Sequence, residues 1–190
     1  MKKLIAEIQK CTVCSSFFKS HEPRPVLRAS KSCKILVIGQ APGTKVHASG
    51  IPWDDQSGKR LREWMEIDSN LFYDDSKIAI VPMGFCYPGK GKSGDLPPRP
   101  ECALLWHKKL LTQMPNIQLT LLIGQYAQAY YLGNKMKNNL TETVKHYKEY
   151  LPDFIPLPHP SPRNLFWLKK NQWFEKDVLP ILKEKVKKLL

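Results

Sequence analysis

The sequence predicts an α/β domain of three layers, α/β/α, around a mainly parallel central sheet. Three observations carry this. Four short apolar runs, 34–39, 77–85, 119–124 and 153–158, are each bounded by glycine- or proline-bearing loops and are too short to be core helices. Stretches with apolar residues at helical spacing lie between them, and strands alternating with helices build parallel sheets. The 190 residues contain no internal repeat and no dividing linker, so residues 1–190 read as one domain.

The elements follow in order. Residues 2–10 read as a short helix ending near Cys11. "KILVIG" (34–39) is a buried strand stopped by glycine. "QAPGTKVHASGIPWDDQSG" (40–58) is a long loop. Asp55 or Ser57 can cap the helix that follows, where Leu61, Trp64 and Met65 form one apolar face. Residues 77–85 are a second strand, 89–100 a loop, and 101–114 a helix ending before Pro115. "LTLLIG" is the third strand and "QYAQAYYL" the helix after it. "DFIPLP" (153–158) is the fourth strand. From about Leu168 a basic amphipathic helix follows, with an apolar stripe of Val178, Leu182, Val186 and Leu189 and a kink expected at Pro180. In such sheets ligands bind beyond the carboxyl ends of the strands. The loops "GQAPG", "GFCYPG" and "PHPSPRN" are therefore expected to converge at one edge.

Thirty basic residues against 17 acidic give a formal charge of +13. That favours a polyanionic partner, nucleic acid first. No apolar run approaches the length of a membrane span, and "MKKLIAEIQKC" lacks the apolar core of a signal peptide. The expectation is a cytoplasmic protein with no membrane partner.

Five cysteines are present. Cys11 and Cys14 form a C-x2-C pair, and Cys86 and Cys102 follow far along the chain. Four thiolates suit a zinc ion and equally a four-iron, four-sulfur cluster, and unrelated buried cysteines give the same pattern. Cys33, at the entrance to a strand, reads as a core residue. In "IPLPHPSPRN" (155–164), prolines stiffen the backbone on both sides of His159, which suits a side chain that must meet a ligand without reorganising.

Taken in order, "CTVC" (11–14), "GQAPG" (39–43), "GIPW" (50–53), Cys86, Cys102 and "HPSPRN" (159–164) resemble the uracil-DNA glycosylase superfamily over roughly residues 5–175. The chain is most similar to the iron–sulfur branch called family 4. Its HPSPRN motif is closer to the single-strand-selective monofunctional uracil glycosylases. It departs from family 4 in having Gln40 in place of Glu, and Pro82 and Met83 where a base-reading Asn is usual. Ala41 stands where family 1 has its water-activating carboxylate.

The resemblance implies a monofunctional DNA glycosylase that excises uracil or another deaminated base from DNA, acting as a monomer. It implies a structural [4Fe-4S] cluster on Cys11, Cys14, Cys86 and Cys102. Such an enzyme flips its target base into a pocket, stabilises the departing base anion and places a water near the sugar carbon. His159 suits the first electrostatic task as a neutral donor to the base oxygen. Gly39, Gln40, Ala41 and Gly43 form a loop whose backbone can approach a flat base. Gln40 can orient a water but cannot ionise. Trp53 is placed to stack on the base. Asp54 or Asp55 can supply the carboxylate that Ala41 lacks. Ser161, Arg163, Asn164 and Leu165, with Phe166, are placed to grip the flanking phosphates and fill the gap in the duplex. The loop "GKGKSG" (89–94) can track the backbone. Two other readings stand beside this one: a non-catalytic iron–sulfur module that binds nucleic acid through a degenerate base pocket, and a zinc-stabilised nucleotide-processing enzyme.

Overall fold

The computed structural model describes residues 1–18 and 21–190. The elements in chain order are α1 (Lys2–Gln9), β1 (Ile35–Ile38), α2 (Thr44–Ser49), α3 (Gln56–Met65), α4 (Ser69–Phe72), β2 (Ile78–Ile80), the two-residue strands β3 (Lys90–Gly91) and β4 (Gly94–Asp95), α5 (Pro100–Cys102) and α6 (Lys108–Thr112). They continue with β5 (Leu119–Ile123), α7 (Gln125–Leu132), α8 (Leu140–Lys145), β6 (Phe154–Leu157), α9 (Leu165–Lys170) and α10 (Leu179–Leu189). Wide π turns at Ala103–His107 and Phe174–Val178 run directly into α6 and α10.

Four strands form one parallel sheet in the order β2-β1-β5-β6. Both faces are covered, which is why β1 and β2 read as unbroken apolar runs, and β5 as one interrupted only by the buried Thr120, rather than as alternating ones. Leu36, Ile38 and Leu122 face one layer, packed with Ile8, Trp106, Leu110 and Ala127. Ile35, Val37, Leu121 and Ile155 face the other, packed with Leu61, Trp64 and Met65 of α3 and with Phe174, Val178, Leu182 and Val186. This is the three-layer α/β/α architecture expected, and the stripe on the last helix meets the core as expected.

Several boundaries differ, each for a physical reason. The loop 40–58 contains α2, whose six residues bury only Val46 and so carry no apolar stripe to announce it. The short helices α4 and α8 were also unmarked. The second strand stops at Ile80 instead of Phe85, close to where its sheet neighbour β1 ends at Ile38, although Val81 N and Met83 N still donate to the Val37 and Gly39 carbonyls. The loop 89–100 carries the antiparallel β3–β4 hairpin. Pro180 does not kink a long helix: it sits in the first turn of α10, and the break falls earlier, where the Asn171 side chain donates to the Trp167 carbonyl at 2.8 Å. Among the described residues, no helix is long and apolar enough to cross a membrane.

Candidate functional site

A cavity of about 460 Å³ opens at the carboxyl edge of the sheet. The loop after β1 supplies Gly39, Gln40, Ala41, Pro42 and Gly43, and the loop after β6 supplies His159, Ser161, Arg163 and Asn164. Trp53, Asp55, Pro82 and Asp95 complete much of the wall. The volume suits a small planar ligand. The loop after β2 divides its work. Pro82 lines this cavity, whereas Gly84, Phe85 and Cys86 line a second one.

His159 is fixed from several directions. The Ser161 backbone N–H donates to its Nδ1 at 3.2 Å. A ring nitrogen that accepts a hydrogen bond carries no proton, so in the neutral ring the proton sits on Nε2. Burial pulls the His159 pKa below the ordinary histidine value, partly offset by the charge of Asp55. The ring is therefore neutral and presents one N–H donor. The backbone beside it is clamped. Arg60 Nη1 donates to the carbonyls of Pro160 and Ser161, both at 3.1 Å, and Asn164 Nδ2 donates to the His159 carbonyl at 2.7 Å. The prolines set the path of the loop, while Arg60 and Asn164 hold its polar groups.

Trp53 lies against His159, with ring centroids 5.5 Å apart and planes inclined by 33°. Its own backbone is in the left-handed region, at φ 58, a conformation that bulky residues rarely adopt and that clusters at functional sites. The indole covers Gly39 so closely that a Cβ there would stand 2.7 Å from Trp53 Cζ2. Gly39 thus makes room for the tryptophan. The carbonyls of Gly39 and Gln40 accept from Met83 N and Gly84 N at 2.9 and 3.0 Å, which ties the first loop to the segment after β2.

The structure separates the two neighbouring acids. Asp55 lines the cavity and caps α3, its Oδ1 accepting from Gly58 N at 2.8 Å. Asp54 is not among the lining residues. Gln40 Nε2 donates to the Leu96 carbonyl at 3.1 Å, and Arg163 Nη1 donates to the Ser93 carbonyl at 3.2 Å. The two site loops therefore hold the β3–β4 hairpin between them, over the cavity. Gly94, with φ +146, lets the guanidinium approach: a Cβ there would stand 2.6 Å from Arg163 Nη1. The "GKGKSG" stretch is this hairpin rather than an open loop. Leu165 does not line the cavity. It is 46% exposed just beyond it, and Phe166 beside it is 88% exposed.

Cys11, Cys14, Cys86 and Cys102 line the second cavity together with Phe18 and Arg99, and none forms a disulfide. Burial and the neighbouring thiols push Cys86 up to about 12 and Cys102 up to about 11. Four such thiolates are costly without a positive centre, and an all-sulfur donor set suits a zinc ion and an iron–sulfur cluster alike. Among the described residues, no group of three or more Cys, His, Asp or Glu is placed so that it could hold a metal ion. Cys33 lies apart in the core, with its Sγ donating to the Ser30 carbonyl.

Sequence reasoning did not mark two polar residues that the structure brings to the site, Asp95 in the cavity wall and Arg60 on the His159 loop. Asp95 sits in a lysine- and glycine-rich stretch that reads as a solvated turn. Arg60 sits on a helix where a basic residue reads as surface. Only the distant contacts they make single them out.

Compared with known protein families, residues 23–183 match the family model described as the Uracil DNA glycosylase superfamily.

Proposed function

The chain belongs to the uracil DNA glycosylase superfamily, and on that premise we propose that it is a monofunctional DNA glycosylase that hydrolyses the N-glycosidic bond of uracil or another deaminated base. The superfamily gives it a DNA-glycosylase-like, hydrolytic character; the monofunctional activity and the choice of base are our reading. The observation that carries it is the state of His159. A neutral imidazole, with Nδ1 occupied and Nε2–H free to donate, lines a cavity of nucleobase size beside an indole face. As the glycosidic bond breaks, the base leaves as an anion with charge on a ring oxygen. A fixed donor in a poorly solvated site stabilises that charge more in the transition state than in the bound substrate. Trp53 stacks on the flipped base, which gives affinity for a flat ring without selecting its edge.

DNA is gripped at the rim. The net charge of +13 provides the long-range attraction to the backbone. Phe166 and Leu165 fill the space vacated by the base and offset part of its lost stacking. The four cysteines would hold a [4Fe-4S] cluster that ties the N-terminal segment to the loop after β2; when bound, it supplies structural cross-linking rather than a reacting group. The test is excision from oligonucleotides carrying uracil, hypoxanthine or xanthine, with His159→Ala alongside.

A second reading rests on Pro82. It stands where a polar base reader would be expected, has no N–H, and its carbonyl accepts from His107 Nε2 at 3.0 Å. A pocket that cannot read a base edge there suits a nucleic-acid-binding module without cleavage. That module would bind DNA in a salt-dependent way and yield no abasic product.

A further inference from the structure

We infer that Asp95, carried over the cavity by the β3–β4 hairpin, is the catalytic carboxylate that takes the proton from the water attacking the sugar carbon. The inference rests on the glycosylase reading and names the base for that same site. Hydrolysis of the bond needs a water whose oxygen joins the anomeric carbon as the carbon–nitrogen bond breaks. One water proton passes to a carboxylate and on to solvent, and the base anion leaves with the bonding pair and takes up a proton. Gln40 cannot accept that proton, and Ala41 carries no acid.

The cavity wall holds two carboxylates, Asp55 and Asp95. Asp55 is committed to α3, with one oxygen fixed on the Gly58 N–H. Asp95 caps no helix, and its carboxylate is hydrogen-bonded by the Tyr87 side chain. Its Oδ2 reaches the far end of the first site loop, 3.5 Å from where a Cβ on Gly43 would stand. The residues on either side of it are not free to drift. Gln40 holds the Leu96 carbonyl and Arg163 holds the Ser93 carbonyl, so Asp95 is fixed from both sides by the two loops that build the pocket. This also gives Gln40 and Arg163 a positioning role. Burial raises the Asp95 pKa above the ordinary carboxylate value, making it a stronger base. The groups that face it are Arg163, Lys90 and Tyr87, which favour the ionised form, and Asp55, which opposes it.

The experiment is single-turnover excision by the full chain on its preferred modified base, as a function of pH, for wild type, Asp95→Asn, Asp95→Glu and Asp55→Asn. Folding is checked by circular dichroism, and binding to an oligonucleotide carrying a tetrahydrofuran abasic analogue is measured in parallel. The expected result for Asp95→Asn is a loss of about 10²–10³-fold in the chemical step, undiminished binding to the analogue, and loss of the acidic limb of the pH profile. Asp95→Glu keeps that limb. Asp95→Asn within about threefold of wild type, with the limb unchanged, overturns the inference and leaves the glycosylase reading intact. So does a loss in Asp95→Asn fully accounted for by unfolded protein, because the carboxylate then serves only the fold. Folded wild type that excises no base removes both.

Discussion

The backbone N–H of Ser161 donates to Nδ1 of His159 at 3.2 Å. One contact between residues two apart decides what the imidazole can do. It leaves the ring proton on Nε2, and burial keeps a second proton off. On the proposed reading His159 is a neutral hydrogen-bond donor, and the rate is expected not to depend on its becoming cationic. His159→Ala is expected to lower excision by about 10²–10³-fold, the usual cost of one oxyanion donor, with the melting temperature little changed. Single-turnover assays and thermal melts read the two effects separately.

Arg60 holds the Pro160 and Ser161 carbonyls with one nitrogen. Arg60→Ala frees the loop that carries His159. Excision is expected to fall by about 10-fold or more, because small misplacement of a reacting group is costly. Arg60→Lys restores part of the loss. A rate equal to wild type in Arg60→Ala would show that the prolines alone hold the loop.

Phe166 is 88% exposed, so its removal should barely touch stability. On the proposed reading it is a wedge, with work to do only where there is a base stack to fill. Phe166→Ala is expected to slow excision from duplex several-fold while leaving single-stranded substrate unaffected. Equal slowing on both substrates would point to a contact with the pocket instead.

His107 is 1% exposed, with Nε2 donating to the Pro82 carbonyl and Nδ1 accepting from the Tyr131 hydroxyl at 2.6 Å. Burial lowers its pKa from 6.5 to about 4. Its folded value lies below the unfolded one, so this contribution to stability is complete above pH ~6.5 and is lost as pH falls toward ~4. At about 1.4 kcal/mol per pKa unit, unfolding free energy should drop by about 2 kcal/mol between pH ~7 and pH ~5 through this residue. His107→Gln flattens that slope. Denaturant titrations of both proteins at both pH values measure the difference.

The cysteine reading makes an analytical prediction. Protein purified without oxygen is expected to be brown and to contain iron and inorganic sulfide. Cys86→Ala or Cys102→Ala should lose both, while Cys33→Ala keeps them. Zinc without iron would instead support the zinc-stabilised alternative.

The sequence made the layers legible because the strands of the four-stranded sheet are buried on both faces. Runs such as "KILVIG" and "LTLLIG" have no other stable use in a chain with amphipathic helices between them. The two site loops were legible for a related reason: glycine and proline fix backbone shape locally, so "GQAPG" and "PHPSPRN" announce themselves. What stayed hidden depends on contacts far apart in the chain. Nothing near Arg60 says that its guanidinium ends a hundred residues away on the Pro160 carbonyl. Nothing in "GKSGDLPP" says that Asp95 faces the first site loop. The helix α2 was hidden because Thr44–Ser49 buries one side chain and so has no period to detect. Asp54 and Asp55 are adjacent in sequence, and only the start of α3 determines which of them lines the cavity.

The most direct test of the central claim is alkaline strand cleavage on labelled oligonucleotides carrying uracil, hypoxanthine, xanthine or a normal base, in single- and double-stranded form. Wild type and His159→Ala run side by side. The account predicts cleavage at a deaminated base by wild type and its loss in the mutant. Folded, DNA-binding protein that produces no abasic site at any base would contradict it.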